Sequence, residues 1–317
     1  MNNKLLVTII MPTFNNQETI DQAISSVLNQ TYDNWELLII DDGSTDETLD
    51  IVRNFKNINN KIRVLKTLHK GNSFARNCGI NNANGKLLAF LDADDFYDMN
   101  FLEKGINAIV KSNSDVAVYN YIRFSNHNEV TVSVGKGMFN SYTAVWNKIY
   151  RRELWHGIEF PVGMKIEDLE IVTTIMGKAS KVIKVNGSFY HYRMRESSVT
   201  HFFDPIEQIE IVKAIEIMND YFKKFKIKYN QKEYVYFVNS QLFTHMYLGI
   251  EKSKNFGERK LIFQNIFSKT IGNKKYLMFS SNLMKNVKDN LVVALFKIHC
   301  FNLGVCVAKA ATRLMSK

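Results

Sequence analysis

The sequence has few residues of the kinds that mark linkers, disulfide frameworks or zinc sites. Its 317 residues include only three prolines and three cysteines. So few prolines argue against long disordered linkers, and the cysteines form neither a CxxC pair nor an even framework. Apolar residues make up 46% and charged residues 23%, as is usual for a globular protein. We therefore expect one large domain, or a domain with an appendage, in a reducing compartment such as the cytoplasm.

Long uninterrupted apolar runs are also missing. The apolar run near the start of the chain ends at Pro12, and no small-residue cleavage site follows it. This pattern predicts a buried first strand rather than a signal peptide. Residues 291–308 are mostly apolar, but Lys297, His299 and Asn302 interrupt them. Because a membrane-spanning helix needs about 20 largely uncharged residues, this segment favours a packed terminal helix or a basic interfacial helix over a span.

Charge of one sign is concentrated at one end of the chain. Residues 205–317 hold 19 Lys and Arg against 8 Asp and Glu, whereas residues 1–204 hold 22 against 23. Helical periodicity dominates from Pro205 onward, so we place a domain boundary at residue 204. The basic third predicts an anionic partner. Anionic lipid, an anionic polymer and another copy of the chain are the partners to weigh against a merely solvated surface.

Apolar runs alternate with amphipathic patterns over the first 100 residues. Strands are predicted at residues 5–12, 61–67 and 86–92 and in the stretch 35–46, which ends in acids and a Gly-Ser turn; helices are predicted at 20–30, 46–55 and 71–83. This alternation predicts a parallel sheet covered on both faces. Further along, residues 115–124 and 181–195 are strand-like, residues 144–154 predict a turn into a helix, and residues 167–176 and 206–225 predict helices.

Polar loops follow three of the predicted strands. They read "PTFNN", "DDGSTD" and "DADD", and in such sheets ligands bind outside the carboxyl ends of the strands. No G-x-G-x-x-G follows the first strand and no GK[ST] loop exists, so a glycine-rich backbone does not cradle phosphates here. A metal ion or basic side chains must neutralise them instead.

The "DADD" loop, residues 92–95, offers oxygen ligands for a metal. In an extended turn Asp92 and Asp94 point the same way while Asp95 turns aside. Mg²⁺ and Mn²⁺ prefer such ligands and often take one or two carboxylates together with substrate phosphates. The alternative is a solvated acidic turn or a helix cap.

The stretches "TIIMPTFNNQETIDQAISSVLNQTYDNWELLIIDDGSTDET" and "GNSFARNCGINNANGKLLAFLDADD" resemble the N-terminal half of bacterial family 2 glycosyltransferases. "VWNKIYRREL", "KIEDLEI" and "YHYRMRESSVT" extend the resemblance to about residue 200. It implies a GT-A fold, an α/β Rossmann-like domain whose mostly parallel central sheet is flanked by helices, here with a helical, basic C-terminal extension. The nucleotide-sugar half would span about residues 1–100 and the acceptor half about residues 101–204.

The resemblance implies inverting sugar transfer from a nucleotide-sugar donor to a hydroxyl group. A UDP-hexose or UDP-N-acetylhexosamine is the expected donor, although dTDP fits the same base contact. The expected acceptor is a cell-surface glycan precursor of capsular, exopolysaccharide or teichoic-acid type, with a glycoprotein glycan as the alternative. The enzyme would be cytoplasmic, at the inner face of the membrane where its acceptor is lipid-linked.

The resemblance also implies roles for particular residues. Asp94 would be the principal ligand of Mn²⁺ or Mg²⁺, with Asp92 orienting metal or ribose and Asp95 as second choice. Asp168 would be the general base, with Glu167 beside it holding an acceptor hydroxyl or supporting the base.

The implied donor and acceptor contacts extend beyond these carboxylates. Phe14 would stack on the base and Asp41 would accept from the uracil imide, while Trp146 and Lys148 would flank the acceptor. The full donor set is Pro12, Thr13, Phe14, Asn15, Asp41, Asn72, Arg76, Asp92, Ala93, Arg193 and Arg195. The chain reads "HKGN" at 69–72 where the family often has "N-x-G", which leaves Lys70 and Asn72 undecided as base contacts.

Three other classes of protein compete with this interpretation. A sugar-nucleotide-forming nucleotidyltransferase needs a glycine-rich loop after the first strand, which "PTFNN" is not. A Mg²⁺-dependent nuclease could use the acids with the basic third, but it does not explain "DDGSTD". A non-catalytic sugar- or lipid-binding module would not need both "DADD" and the acidic pair at 167–168.

Overall fold

The computed structural model describes residues 4–126, 128–194 and 204–269. The chain divides into two compact units at residue 196, and the predicted boundary at residue 204 stays a prediction. Within the described residues, no helix combines the length and apolar character needed to cross a membrane.

The first unit begins with regular alternation of strands and helices. In chain order these are β1 (Val7–Thr13), α1 (Ile20–Leu28), β2 (Trp35–Asp41), α2 (Thr48–Ile58), β3 (Ile62–Lys66), α3 (Asn72–Asn82) and β4 (Leu87–Phe90). The strands pair in parallel in the order β3-β2-β1-β4. Every residue of β1, β2 and β4 is buried, as expected for strands covered on both faces. The parallel alternation predicted from the apolar runs is confirmed.

The remainder of the first unit extends this sheet with strands of mixed direction. They and their helices are β5 (Phe96–Tyr97), α4 (Phe101–Ser112), β6 (Val116–Phe124), β7 (Glu129–Val132), β8 (Lys148–Arg151), α5 (Leu169–Lys178) and β9 (Val182–Arg193). Among the described residues the order is β3-β2-β1-β4-β8-β6-β9-β5, with β7 on β6. β8 runs antiparallel to both β4 and β6.

The helix predicted within residues 144–154 is wrong. Residues Lys148–Arg151 form β8, and only a short 3-10 turn, Arg152–Trp155, follows it. Lys148, Ile149 and Tyr150 are fully buried, so the strand shows no alternation of apolar and polar residues. A lysine and an arginine at its two ends gave the segment the appearance of an exposed helix, and tertiary pairing overrode that local pattern.

The described part of the second unit is helical, as predicted. A 3-10 turn, Pro205–Ile209, leads into α6 (Glu210–Lys224), α7 (Gln231–Lys252) and α8 (Phe256–Phe267). The core of this part is apolar and includes Ile211, Met218, Phe222, Phe237, Leu242, Ile262 and Ile266. The apolar segment near residue 300 lies outside the described residues.

Helix α3 lies unusually close to the sheet at Gly79. A Cβ atom at this position would come within 2.4 Å of Ile10 Cγ2 and 3.1 Å of Ile40 Cδ1. The missing side chain therefore lets α3 approach β1 and β2, and this close approach fixes the helix that carries Asn72 and Arg76.

We expect Gly79→Ala to destabilise the protein by about 1–3 kcal/mol because the added methyl group overpacks the contact with Ile10. In an exposed helix the same change would stabilise by about 1 kcal/mol. The matched control is Asn81→Ala at an exposed position of α3, for which no loss is expected. Urea denaturation measures both, and a Gly79→Ala variant as stable as the wild type would contradict this packing.

Candidate active site

The carboxyl ends of the parallel strands bring the polar loops to one edge. Thr13 pairs in register with Asp41, and Asp41 with Lys66. The backbone amide of Leu91 donates to Ile10 O over 3.0 Å, which brings the start of the "DADD" turn to the same edge.

Asp42 shapes the loop that leads into α3. One of its carboxylate oxygens accepts from the Thr67 hydroxyl and from Lys70 N at 2.9 Å, and the other accepts from Gly71 N at 2.6 Å. Gly71 has φ +89°, a left-handed conformation that suits glycine. Asp42 thereby fixes the start of α3.

Arg76 on α3 joins three carboxylates from distant parts of the chain. Its Nη2 donates to Asp92 Oδ1 at 3.0 Å, while its Nη1 donates to Glu167 Oε1 at 3.0 Å and to Asp168 Oδ1 at 2.8 Å. The Arg76 side chain is 3% exposed. Burial acts to lower the pKa of Arg76, but the charges of Asp168, Asp92 and Glu167 outweigh it and raise that pKa. The guanidinium is therefore a permanent positive charge that offsets the crowded acids.

Glu167 is held by the first turn of α3. Its Oε1 accepts from Asn72 Nδ2 at 3.0 Å as well as from Arg76, and its Oε2 accepts from the Ser73 hydroxyl. In this structure the side chains of Asn72 and Ser73 therefore donate hydrogen bonds to the Glu167 carboxylate. The sequence reasoning missed Ser73, since nothing local shows that a residue some 90 positions away will meet it.

Asp168 lies between Arg76 and the segment before β8. In addition to the Arg76 contact, its Oδ2 accepts a long 3.3 Å hydrogen bond from Val145 N. Burial raises the pKa of Asp168 to about 6, and the charges of Glu167 and Asp92 add to the rise, whereas Arg76 acts to lower it. A carboxylate with such a pKa can accept a proton near neutral pH. Asp168 occupies the N-cap position of α5, so the acidic pair precedes the helix instead of lying within its first turn.

The acids of the "DADD" turn have different surroundings. Asp92 and Asp94 are partly exposed, whereas Asp95 is 1% exposed. Asp95 Oδ2 accepts from the Tyr190 hydroxyl at 2.6 Å, and its Oδ1 accepts from Arg193 N at 2.7 Å. Both oxygens of Asp95 are therefore used inside the protein, which makes it a support for the turn.

Asp92 and Asp94 are the two partly exposed carboxylates of this turn. Among the described residues, no group of three or more His, Cys, Asp or Glu side chains is arranged to hold a metal ion. Asp92 and Asp94 nevertheless fit a hard divalent cation, because Mg²⁺ sites commonly combine one or two carboxylates with water and substrate phosphates. The assignment of Asp94 and Asp92 as ligands stays a prediction.

Arg193 has structural contacts at the same turn. Its Nε donates to Asp94 O at 2.8 Å, its Nη2 donates to Gln22 Oε1, and its guanidinium lies 4.7 Å from the centre of the Phe124 ring. Arg193 therefore secures the "DADD" turn, and its predicted contact with diphosphate stays a prediction. Arg195 lies outside the described residues.

The residues predicted to bind the nucleotide differ in exposure. Phe14 is 40% exposed and its ring centre lies 4.2 Å from that of His69, so it offers an aromatic surface. The side chain of Asn15 forms a hydrogen bond within the protein, because its Oδ1 accepts from Thr45 N at 2.9 Å. Asp41 is 1% exposed and accepts from Ser44 N at 3.2 Å. Besides Asp41 and Arg76, the buried members of the donor set are Pro12, Thr13 and Ala93.

The predicted acceptor-side residues, Trp146 and Lys148, are buried. Trp146 is 4% exposed and stacks on Tyr190 and Tyr192, with ring centres 4.2 and 5.4 Å away. Burial lowers the pKa of Lys148 to about 7, and its Nζ donates to the carbonyl oxygens of Tyr142 and Ala144 and to the Asn147 amide oxygen. These contacts are structural, and an acceptor role for either residue stays a prediction.

Tyr142 is an exposed aromatic residue at this site that the sequence reasoning missed. It is 42% exposed, and its ring centre lies 5.1 Å from that of Tyr121 and 5.7 Å from that of Trp146. Burial raises the pKa of Tyr142, and the charge of Asp168 adds to the rise, so the phenol lies within electrostatic reach of that carboxylate. The local sequence "NSYTAVW" carries no signal that separates Tyr142 from a core residue.

Comparison with known proteins identifies the family. The family model described as "Glycosyl transferase family 2" matches residues 8–169. The chain belongs to glycosyltransferase family 2. It is a transferase, which confirms the resemblance and rules out the nuclease and the non-catalytic module.

Curated relatives of this family 2 glycosyltransferase come from several bacteria. The Escherichia coli protein named "UDP-Glc:alpha-D-GlcNAc-diphosphoundecaprenol beta-1,3-glucosyltransferase WfgD" is 35% identical over 62% of this chain and 79% of its own length. A second E. coli protein of the same activity name, WfaP, is 31% identical over 67% of this chain and 87% of its own. Glycosyltransferase GlyA of Streptococcus pneumoniae is 28% identical over 61% of this chain, but the match spans only 31% of GlyA.

Solved structures confirm the predicted GT-A fold. Staphylococcus aureus TarS, residues 1–349, in complex with UDP-GlcNAc superposes with a TM-score of 0.76 at 18% identity, covering 98% of this chain and 92% of that one. A mannosyltransferase of Pyrobaculum calidifontis, solved with GDP-Man and Mn²⁺, has a TM-score of 0.58 at 12% identity, covering 98% and 87%.

We expect Arg76→Met to lower the free energy of unfolding by about 3 kcal/mol, because it leaves three carboxylates clustered without their counter-charge. The matched control is Arg53→Met, which removes an exposed i,i+3 pair with Asp50 and should cost less than about 1 kcal/mol. Chemical denaturation at neutral pH measures both. Equal small losses in the two variants would show that Arg76 does not hold the carboxylates together.

Proposed function

We propose that the protein transfers a hexose or N-acetylhexosamine from a UDP-linked donor to a hydroxyl of a lipid-linked cell-surface glycan precursor, with inversion. The carrying observation is the Arg76 cluster, which holds Asp168, with its pKa raised to about 6, and Asp92 of the "DADD" turn on one guanidinium. A proton acceptor and a site for the donor diphosphate are thereby coupled. The relatives named as UDP-Glc transferases and the TarS complex with UDP-GlcNAc support the choice of UDP.

Asp168 acts as the general base in this proposal. The acceptor hydroxyl transfers its proton to the Asp168 carboxylate while its oxygen bonds to the anomeric carbon, and the bond from that carbon to the diphosphate oxygen breaks. Oδ2 is the atom assigned to the proton, since its 3.3 Å contact with Val145 N is the weaker of the two contacts of this carboxylate. Arg76 keeps the other oxygen fixed and so orients the base.

Asp94 and Asp92 would hold a divalent cation, Mn²⁺ or Mg²⁺. When bound, the cation supplies Lewis-acid neutralisation of the charge that develops on the departing diphosphate. Arg193 and Asp95 contribute by fixing the turn that presents these two carboxylates. Phe14 offers the exposed ring against which the base can stack.

Tyr142 is the residue we assign to the acceptor side. Its exposed ring is braced by Tyr121 and Trp146, and it lies within electrostatic reach of Asp168. An aromatic face with a polar tip can pack on a sugar ring and also donate a hydrogen bond. The names of WfgD and WfaP, which specify a GlcNAc-diphosphoundecaprenol acceptor, support a lipid-linked acceptor, so the enzyme would act at the inner face of the membrane.

We expect purified protein to release UDP from one UDP-sugar in the presence of Mn²⁺, and the same sugar to raise its melting temperature by mass action. Asp94→Ala should abolish the Mn²⁺-dependent release while the fold is kept. Asp33→Asn, an exposed site, is the control and should retain full release. If no UDP- or dTDP-sugar is hydrolysed or stabilises the protein, the proposed donor class is wrong.

We expect Asp168→Asn to lower kcat by about 10²–10⁴-fold, the range typical of a lost general base, with little change in the KM for the donor. In the wild type, kcat/KM should rise with pH through an apparent pKa of about 6, because the base must be deprotonated, and should level off above it. Steady-state kinetics from pH 5 to 8 measure this. A flat profile, or unchanged kcat in Asp168→Asn, would remove Asp168 from the role of base.

A further inference from the structure

The connection between α6 and α7 carries a cluster of lysines that the transfer reaction does not use. Five of the ten residues from 223 to 232 are lysines, and all five are exposed; they are Lys223, Lys224, Lys226, Lys228 and Lys232. We name residues 223–232 the lysine turn. Asp220 and Glu233 are the nearest acids in the sequence, and Asp220 pairs with Lys223 over 3.3 Å.

The lysine turn has a defined backbone. Phe225 N donates to Tyr221 O at 2.9 Å and Ile227 N donates to Phe222 O at 2.9 Å, so the end of α6 closes on itself. Lys226 has φ +53°, the left-handed conformation in which chains often leave a helix. The lysines therefore project from a folded scaffold.

The other end of the turn is anchored to α7. Asn230 caps this helix by accepting from Lys232 N at 2.9 Å and Glu233 N at 3.2 Å. The ring of Tyr229 packs against those of Tyr234 and Phe222, with centres 4.8 and 5.3 Å away.

Aromatic rings accompany the lysines. Lys224 Nζ lies 5.2 Å from the ring centre of Phe225 and 5.7 Å from that of Tyr221. Tyr229 is 39% exposed although its ring is anchored. Amphipathic aromatic side chains next to basic ones are typical of protein surfaces that lie at the headgroup level of a bilayer.

We propose that the lysine turn binds the anionic surface of a phospholipid bilayer. A cluster of four to eight basic residues suits such a surface, and each contributes about 1 kcal/mol near it. All five basic residues are lysines, whose ammonium groups act as compact point charges and suit a diffuse layer of headgroup phosphates. This inference extends the proposed function, because a lipid-linked acceptor would lie in the same bilayer. Only this link to the acceptor rests on the proposed function.

Co-sedimentation of the full chain with vesicles tests the proposal without any sugar chemistry. At low salt the wild type should bind vesicles of phosphatidylcholine with about 30 mol% phosphatidylglycerol at least tenfold more tightly than vesicles of phosphatidylcholine alone. The triple variant K224E/K226E/K228E should lose binding to the anionic vesicles by about 100-fold, as the loss of three contacts of this size implies.

The matched control variant is K252E/K254E/K260E. It changes net charge by the same amount at exposed lysines, of which Lys252 is at the far end of α7, roughly 30 Å along the helix axis from its start. Its binding should stay within about threefold of the wild type. Equal losses of vesicle binding in the two triple variants would overturn the proposal, because they would show that the overall charge of the protein, and not the lysine turn, determines binding.

Two further outcomes are decisive. A wild type that ignores anionic vesicles but is retained on heparin would overturn lipid binding in favour of a polyanionic polymer. UDP release in vesicle-free buffer should be unchanged in K224E/K226E/K228E, and its melting temperature should match that of the wild type. A wild type that binds vesicles yet releases no UDP would defeat the proposed function while leaving the lysine turn as a lipid-binding surface.

Discussion

The contact of one buried guanidinium with three carboxylates is the interaction on which the rest of the site depends. Asp92 comes from the end of a central strand, whereas Glu167 and Asp168 come from the segment before α5. Carboxylates this close repel one another, and taking them out of water adds a further cost. Arg76 offsets both effects and joins the "DADD" turn to the acidic pair Glu167 and Asp168.

Helix α3 provides the frame for this contact. Asn77 exchanges two hydrogen bonds with the backbone of Phe160, at 2.8 and 2.9 Å, and the Phe160 ring lies 5.4 Å from the guanidinium of Arg76. The segment that leads to the acidic pair is thus bound to α3 before the pair itself is reached. The close approach of α3 to the sheet at Gly79 sets the position of the helix that carries Arg76.

The parallel half of the fold and the location of the site could be predicted from the sequence. Strands buried on both faces produce continuous apolar runs, and their carboxyl ends must share an edge, so the convergence of "PTFNN", "DDGSTD" and "DADD" followed from local pattern alone. β8 could not be predicted in this way, because its buried lysine is stabilised by carbonyl groups that only the tertiary structure assembles.

The contacts within the site were predictable only in part. Arg76 and the acidic pair were recognised separately by their resemblance to family motifs, yet nothing local indicates that residues 91 positions apart form an ion pair. Asp95 could not be distinguished from its neighbours by sequence, since its burial depends on Tyr190 and Arg193 of a strand nearly 100 residues later. Long-range pairing decides which acids of the "DADD" turn stay partly exposed and which one is buried and supports the backbone.

A double-mutant cycle of Arg76→Met and Asp168→Asn, followed by chemical denaturation, tests the central claim most directly. Burial and the neighbouring acids disfavour the charged form of Asp168, and Arg76 stabilises it. The double variant should therefore be more stable than Arg76→Met alone, with an interaction energy of at least 1 kcal/mol. Additive effects within about 0.5 kcal/mol would contradict the account, because they would mean that the guanidinium and the proposed base do not interact.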